Sequence, residues 1–252
     1  MSTIGFLHTA EVHVATFQRL VEELAPGCDT RHLVDASLLA DARASGVTSA
    51  IAERVRARLA ELESDGAEVI VCTCSTIGAA AEEASEMTGR PGGASREPSG
   101  PSRASGGTGG ASGGTGGASG GPGGAAVRVP VVRVDRPMAD AAVTRGGRIA
   151  VVVAVASTTE PTMALLRESA TAANAQVDLV AVPCLGAWRH FEAGEIERYH
   201  DEIAEHVRAV ADGFDVVVLA QASMSPAAER LPGLPVLTSP RAAVAAAVTR
   251  LH

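Results

Sequence analysis

Apolar residues in this chain fall into two kinds of run, and their alternation predicts its elements. Short, nearly unbroken runs occur at Thr3–His8, Thr30–Val34, Val69–Val71 and Val127–Asp135. Such runs read as strands, and the unbroken ones suit the doubly covered strands of a parallel sheet. Between them, apolar residues recur at helical spacing: Val14, Phe17, Val21 and Leu24 in one stretch, and Ile51, Val55, Leu59 and Leu62 in another from about Thr48 to Glu63. Glu and Arg fill the remaining faces of the longer stretch, so it predicts an amphipathic helix laid on a sheet. Pro26-Gly27 and Asp65-Gly66 end the two helices.

The order then repeats. After a short helix expected at Pro137–Thr144, Arg148–Ala156 reads as a strand, Glu160–Ala173 as a helix and Val177–Val182 as a strand. A long amphipathic helix follows at about Glu192–Ala211, then a strand at Phe214–Leu219. Spacing supports a duplication, since Gly5 to Cys74 covers 69 positions and Ala150 to Gln221 covers 71. The expected architecture is α/β: two pseudo-symmetric flavodoxin-like (Rossmann-like) halves with parallel sheets and an interdomain cleft. The first half is expected at 1–145 and the second at 146–238, with a helix at 239–252 returning to the first half. Residues 89–125 collapse into Gly, Ser, Ala, Thr and Pro. Such a tract cannot bury enough apolar surface to offset its ordering entropy, so it reads as a disordered surface insertion.

Composition narrows the partners. The 252 residues carry a formal charge of -8 with acidic and basic residues interspersed, which leaves no basic stripe for nucleic acid and no polybasic membrane patch. No apolar run approaches the roughly 18 residues of a membrane span, and the N-terminus lacks a signal-peptide pattern, so a cytoplasmic location is expected. The four cysteines, at 28, 72, 74 and 184, include no Cys-x-x-Cys pair, so no metal site is expected and free thiols are. Neither strand-to-helix turn, at His8-Thr9-Ala10-Glu11-Val12 or at Ser157-Thr158-Thr159-Glu160-Pro161, carries a Gly-x-Gly-x-x-Gly fingerprint, so a nucleotide is disfavoured.

The chemistry gathers at Val69-Ile70-Val71-Cys72-Thr73-Cys74-Ser75-Thr76-Ile77-Gly78, where a strand gives way to a helix. A thiol at that turn stands where open α/β sheets bind ligands, and where orphan N–H groups favour its thiolate. Thr9, Ser75, Thr76, Ser157, Thr158, Thr159, Gln221 and Ser223 cluster after other strands at the same edge. Their side chains and adjacent N–H groups can bind a carboxylate or serve as helix caps.

A duplicated α/β chain with Cys74-Ser75-Thr76 after the third strand of its first half resembles the Asp/Glu racemase superfamily, whose counterpart is Cys-Asn-Thr. That group includes aspartate, glutamate and hydantoin racemases, maleate isomerases and arylmalonate decarboxylases. The resemblance implies proton transfer at the α-carbon of a small carboxylate or amino acid, no cofactor, and a homodimer. Where the racemases carry a second cysteine, this chain has Gln221, which cannot move a proton. Cys184 or His8 could supply the missing group. Otherwise a lone Cys74 performs one-sided chemistry, as in a decarboxylase, or the protein binds a carboxylate without catalysis. Cys184 can equally be tucked under the following helix, and His8 can be a core histidine bonded to backbone. Cys72 is expected in the core, and His190, His200 and His206 are expected to be solvated.

Overall fold

The computed structural model describes residues 2–89 and 126–251, so the insertion expected at 89–125 lies outside the described residues apart from Gly89. The first lobe runs β1 (Thr3–His8), α1 (Val12–Leu24), β2 (Asp29–Val34), α2 (Ala36–Ser45), α3 (Ser49–Ser64), β3 (Val69–Cys72), α4 (Gly78–Gly89) and β4 (Val131–Arg133). Its strands pair in parallel in the order β2-β1-β3-β4. The chain continues with α5 (Arg136–Arg145), β5 (Gly147–Val153), α6 (Thr159–Ala172), β6 (Val177–Pro183), α7 (Trp188–Glu192), α8 (Ile196–Val210), β7 (Val216–Leu219), β8 (Val236–Thr238) and α9 (Ser239–Thr249). The second sheet is also parallel, in the matching order β6-β5-β7-β8. The fold is therefore the expected duplicated α/β architecture.

Both sheets are covered on both faces, which is why their central strands carry no polar alternation. In the first, Ile4, Phe6, Val69 and Val71 pack toward α1, while Leu7, Ile70 and Cys72 face α2, α3 and α4. In the second, Ile149, Val151 and Val153 face α5 and α6, and Ala150 and Val152 face α8. Every one of these side chains is fully buried.

Two helices are exchanged between lobes. Helix α5 follows the first sheet, yet Met138, Ala139, Ala142 and Val143 pack into the core of the second. Helix α9 follows the second sheet, yet Ala243, Val244 and Ala247 complete the core of the first. Residues 136–145 thus follow the first-half strands in sequence but share the second lobe's core.

Local chemistry explains the differences in element bounds. Helix α2, which periodicity did not announce, starts at a cap: Asp35 Oδ1 accepts from the Ser37 backbone N–H at 3.1 Å. The helix expected at about Glu192–Ala211 begins only at Ile196, because Gly194 takes φ 75°, a left-handed value that favours glycine, and separates α8 from the short α7 before it. Strand β4 is only three residues long, and Pro130 just before it has no N–H to donate, although its carbonyl accepts from Ile70 N at 2.9 Å. Among the described residues no helix is long and apolar enough to cross a membrane.

Candidate functional site

The carboxyl ends of β1, β3, β5 and β7 meet between the lobes, and the residues after them enclose a cavity of about 40 Å3. Thr9 comes from the end of β1, Thr73 to Thr76 from β3, Val155 and Thr158 from β5, and Gln221 to Ser223 from β7. In an open α/β sheet the crevice between oppositely directed crossovers lies at this end, here between β1 and β3.

Cys74 stands at the centre of this arrangement. It is extended, with φ -114° and ψ 114°, and a 3-10 turn at Ser75–Ile77 follows before α4 begins at Gly78. The leading N–H groups of such a turn have no partner inside it and are free to face an anion. The thiol residue is 9% exposed and lines the cavity, so it is covered but reachable.

Among the described residues the cavity wall includes no Asp, Glu, Arg or Lys; the polar side chains there are hydroxyls, the Gln221 amide, the Cys74 thiol, the Trp188 indole and the His13 imidazole. Ser75 Oγ donates to the Ala220 carbonyl at 3.0 Å, so its proton joins the two lobes. Gln221 Oε1 accepts from Ala154 N at 2.6 Å and from Val155 N at 3.3 Å. Two backbone donors on that oxygen fix the amide's orientation and leave its NH2 as the end for a ligand. Ser223 is anchored by Tyr199 Oη at 2.9 Å from its Oγ, and its carbonyl accepts from His200 Nε2 at 2.9 Å.

His13 was not anticipated from sequence. It lies in the first turn of α1, lines the cavity with Cys74, and burial pushes its pKa down to about 4. At neutral pH it is an uncharged imidazole, a hydrogen-bond donor rather than a strong base. The available signal was position alone: α1 starts directly after β1, at the edge where Thr9 was expected to act.

The two groups expected to replace a second cysteine stand elsewhere. Cys184 is 6% exposed and packs with Ala187, Tyr199 and Ile203 in the second lobe's core, away from the cavity wall. Burial raises its thiol pKa further. The loop after β6 tucks the thiol under α8. His8 is fully buried, with Nδ1 2.9 Å from Thr73 Oγ1 and Nε2 2.9 Å from His32 Nδ1. Burial pushes its pKa down to about 3, helped by neighbouring His32 and His13. The period-two alternation of β1 turns it toward Phe17 on α1 rather than into the cleft.

Of the expected binding residues, Thr9, Ser75, Thr76, Thr158, Gln221 and Ser223 line the cavity with Cys74. Ser157 lines a neighbouring cavity of about 570 Å3 that shares Thr76, and Thr159 begins α6 outside the wall of the first. Cys72 is buried in the core, as expected. His200 is 5% exposed rather than solvated, because its Nε2 bonds the Ser223 carbonyl, and His206 likewise has a buried Nε2. His190 is half-buried between Glu195 and Glu202. Trp188 closes one side of the cavity; its ring carries the Arg43 guanidinium 5.7 Å from the centroid, and Arg43 pairs with Glu192 at 3.4 Å.

Comparison with known proteins gives a likeness of shape. No family model and no curated protein matches the chain. Among solved structures, it matches Picrophilus torridus aspartate racemase with a TM-score of 0.65 at 11% identity, covering 99% of this chain and 94% of that one. The fold is that of the Asp/Glu racemases. A glutamate racemase from Francisella tularensis, solved with D-glutamate, matches with a TM-score of 0.63 at 12% identity over 99% and 80% of the two chains. A mutant arylmalonate decarboxylase in a sulfate-associated form matches with a TM-score of 0.55 at 17% identity over 98% and 92%. The racemase fold is thus common to neighbours that isomerise and to one that decarboxylates.

Proposed function

We propose that this chain is an enzyme of the Asp/Glu racemase superfamily that moves a proton at the α-carbon of a small carboxylate, with Cys74 as its acid–base group. The observation that carries the proposal is the placement of Cys74 in a cavity between two lobes, among neutral donors and with, of the described residues, no Asp, Glu, Arg or Lys in its wall. A carboxylate bound there meets the hydroxyls of Thr9, Thr76 and Thr158, the Gln221 amide and the leading N–H groups of the turn after Cys74. The same donors stabilise the enolate-like charge that develops when the α-carbon loses a proton or CO2. His13, neutral because burial holds its pKa near 4, adds a hydrogen-bond donor to that charge. No cofactor takes part in this reading.

One-faced chemistry is favoured over two-base racemisation. Gln221 occupies the second lobe's position and its carbonyl oxygen is committed to backbone, while Cys184 lies in the core. Cys74 then delivers a proton to, or removes one from, a single face, as a decarboxylase or a non-racemising isomerase does. The test is incubation in D2O with L- and D-aspartate, L- and D-glutamate and a panel of substituted malonates, followed by NMR and chiral analysis. Deuterium fixed at the α-carbon with one configuration is expected. Racemic product would require a second base, with His13 the group to examine, and no deuterium in any compound would defeat the enzymatic reading.

A further inference from the structure

A hydrogen-bonded file of side chains leads from the cavity wall to the half-buried edge of the first sheet. Thr73 is a residue of the cavity wall, and its Oγ1 lies 2.9 Å from His8 Nδ1; His8 Nε2 lies 2.9 Å from His32 Nδ1; His32 Nε2 lies 3.2 Å from Gln18 Oε1. Gln18 is oriented by its other contacts, since its Nε2 donates to Glu22 Oε1 at 2.9 Å and its Oε1 accepts from Thr30 Oγ1 at 2.6 Å. The rings pack in a group of three: the His8 and His32 centroids are 5.2 Å apart, and the Phe6 centroid stands beside both, 5.8 Å from His8 and 4.9 Å from His32, with 10° between planes in each case.

Chemistry assigns the protons. Gln18 Oε1 can only accept, so His32 carries its proton on Nε2 and, being neutral, presents a bare Nδ1 to His8 Nε2–H. Neutral His8 in turn presents a bare Nδ1 to the Thr73 hydroxyl. The same heavy atoms support a second arrangement. Thr73 Oγ1 also lies 3.1 Å from the Leu7 carbonyl, and if it donates there, His8 Nδ1–H donates to Thr73 and His32 Nδ1–H to His8 Nε2. Only the Gln18 bond is then lost, at the end of the file nearest solvent.

We propose that Thr73, His8 and His32 form a proton relay connecting the Cys74 cavity with solvent. The proposal rests on the proton-transfer reading above. In the outward passage, Thr73 Oγ1 takes a proton from the cavity and gives its own to His8 Nδ1. His8 gives its Nε2 proton to His32 Nδ1, and His32 gives its Nε2 proton to surface water. One proton leaves the cavity, one reaches water, no ring stays charged, and the first arrangement has become the second. The inward passage reverses each transfer and restores the first, so successive passages exchange a cavity proton for one from solvent. A substrate seated in this cavity displaces water from beside Cys74, and the file then offers a route for that proton. His8 and His32 are positioning residues in this scheme, since neither touches the substrate.

The experiment compares wild type with His32→Gln, which keeps a hydrogen-bonding side chain but cannot pass a proton, and with Thr73→Val, which removes the hydroxyl at nearly constant shape. The readout is deuterium incorporation in D2O into whichever panel compound the wild type labels, at low and high imidazole concentration and constant pH. The relay predicts that kcat for exchange falls by at least about 100-fold in His32→Gln with KM unchanged, and that imidazole restores much of it while leaving wild type unaffected. His32→Gln exchanging as fast as wild type, or a loss that imidazole does not restore, would reduce the file to a structural network only. Should His32→Gln not fold, Thr73→Val decides: unchanged kcat overturns the relay. A wild type that labels nothing brings down both the relay and the reading beneath it, whereas labelling that is indifferent to both variants brings down the relay alone.

Discussion

Histidine burial sets how this protein should respond to acid. His8 has its pKa lowered from 6.5 to about 3 and His13 from 6.5 to about 4, both chiefly because burial disfavours the imidazolium. A lowered folded-state value means the unfolded chain binds protons first. The neutral-state stability is therefore fully present above about pH 6.5 and is lost as pH falls from there toward 4 and then 3. Each histidine contributes a slope of roughly 1.4 kcal/mol per pH unit across its window. Urea unfolding measured from pH 7 to pH 4 should show this loss, and His13→Gln should flatten it. An acid limb unchanged in that variant would mean that His13 is not held neutral by burial. Cysteine chemistry divides in the same way: Cys74, on the cavity wall, should react with iodoacetamide in the native protein, while Cys72, fully buried with its thiol pKa pushed up, should not. Peptide mapping after brief labelling checks this.

Elements place those residues, and one junction depends on a single missing methyl group. A Cβ on Gly78, at the start of α4, would stand 2.6 Å from Arg133 Nε and 2.8 Å from its Cγ and Cδ. Arg133 cannot retreat, being 2% exposed and paired with the fully buried Asp135 at 2.6 and 3.1 Å. Gly78→Ala, which in an open helix would stabilise by roughly 0.5–1 kcal/mol, should here cost about 1–3 kcal/mol in denaturant unfolding. Most elements were legible because local pattern and tertiary role agree: Val69–Val71, and Ile149–Val155 within the run expected at Arg148–Ala156, lie buried on both faces, and Ile51, Val55, Leu59 and Leu62 all point into the core. Helix α2 was not, since its signal is a cap at Asp35 with only Leu38 and Ala42 buried. The site was half legible. Cys74 and the hydroxyls after each strand follow from the rule that ligands bind at carboxyl ends. His13 and Trp188 meet the cavity because of how α1 and α7 are packed, and His8 and Cys184 turn inward for the same reason; spacing along the chain carries neither fact.

At the scale of the whole molecule, the exchanged helices couple the lobes that form the cavity. Because α5 lies in the second lobe's core, Met138→Ala should cost about 2–5 kcal/mol. Hydrogen exchange should then show faster opening in β5 and β7 than in β4, the strand that precedes α5 in sequence; the reverse order would contradict the exchange. Ser75 adds a direct tie between lobes through the Ala220 carbonyl, beside the reactive thiol. The most direct test of the whole account is α-carbon deuterium incorporation in D2O by wild type and Cys74→Ser side by side, with circular dichroism confirming that the variant is folded. The account predicts labelling by wild type and a loss of at least about 100-fold in the variant. A folded Cys74→Ser protein that labels substrate at the wild-type rate would contradict it.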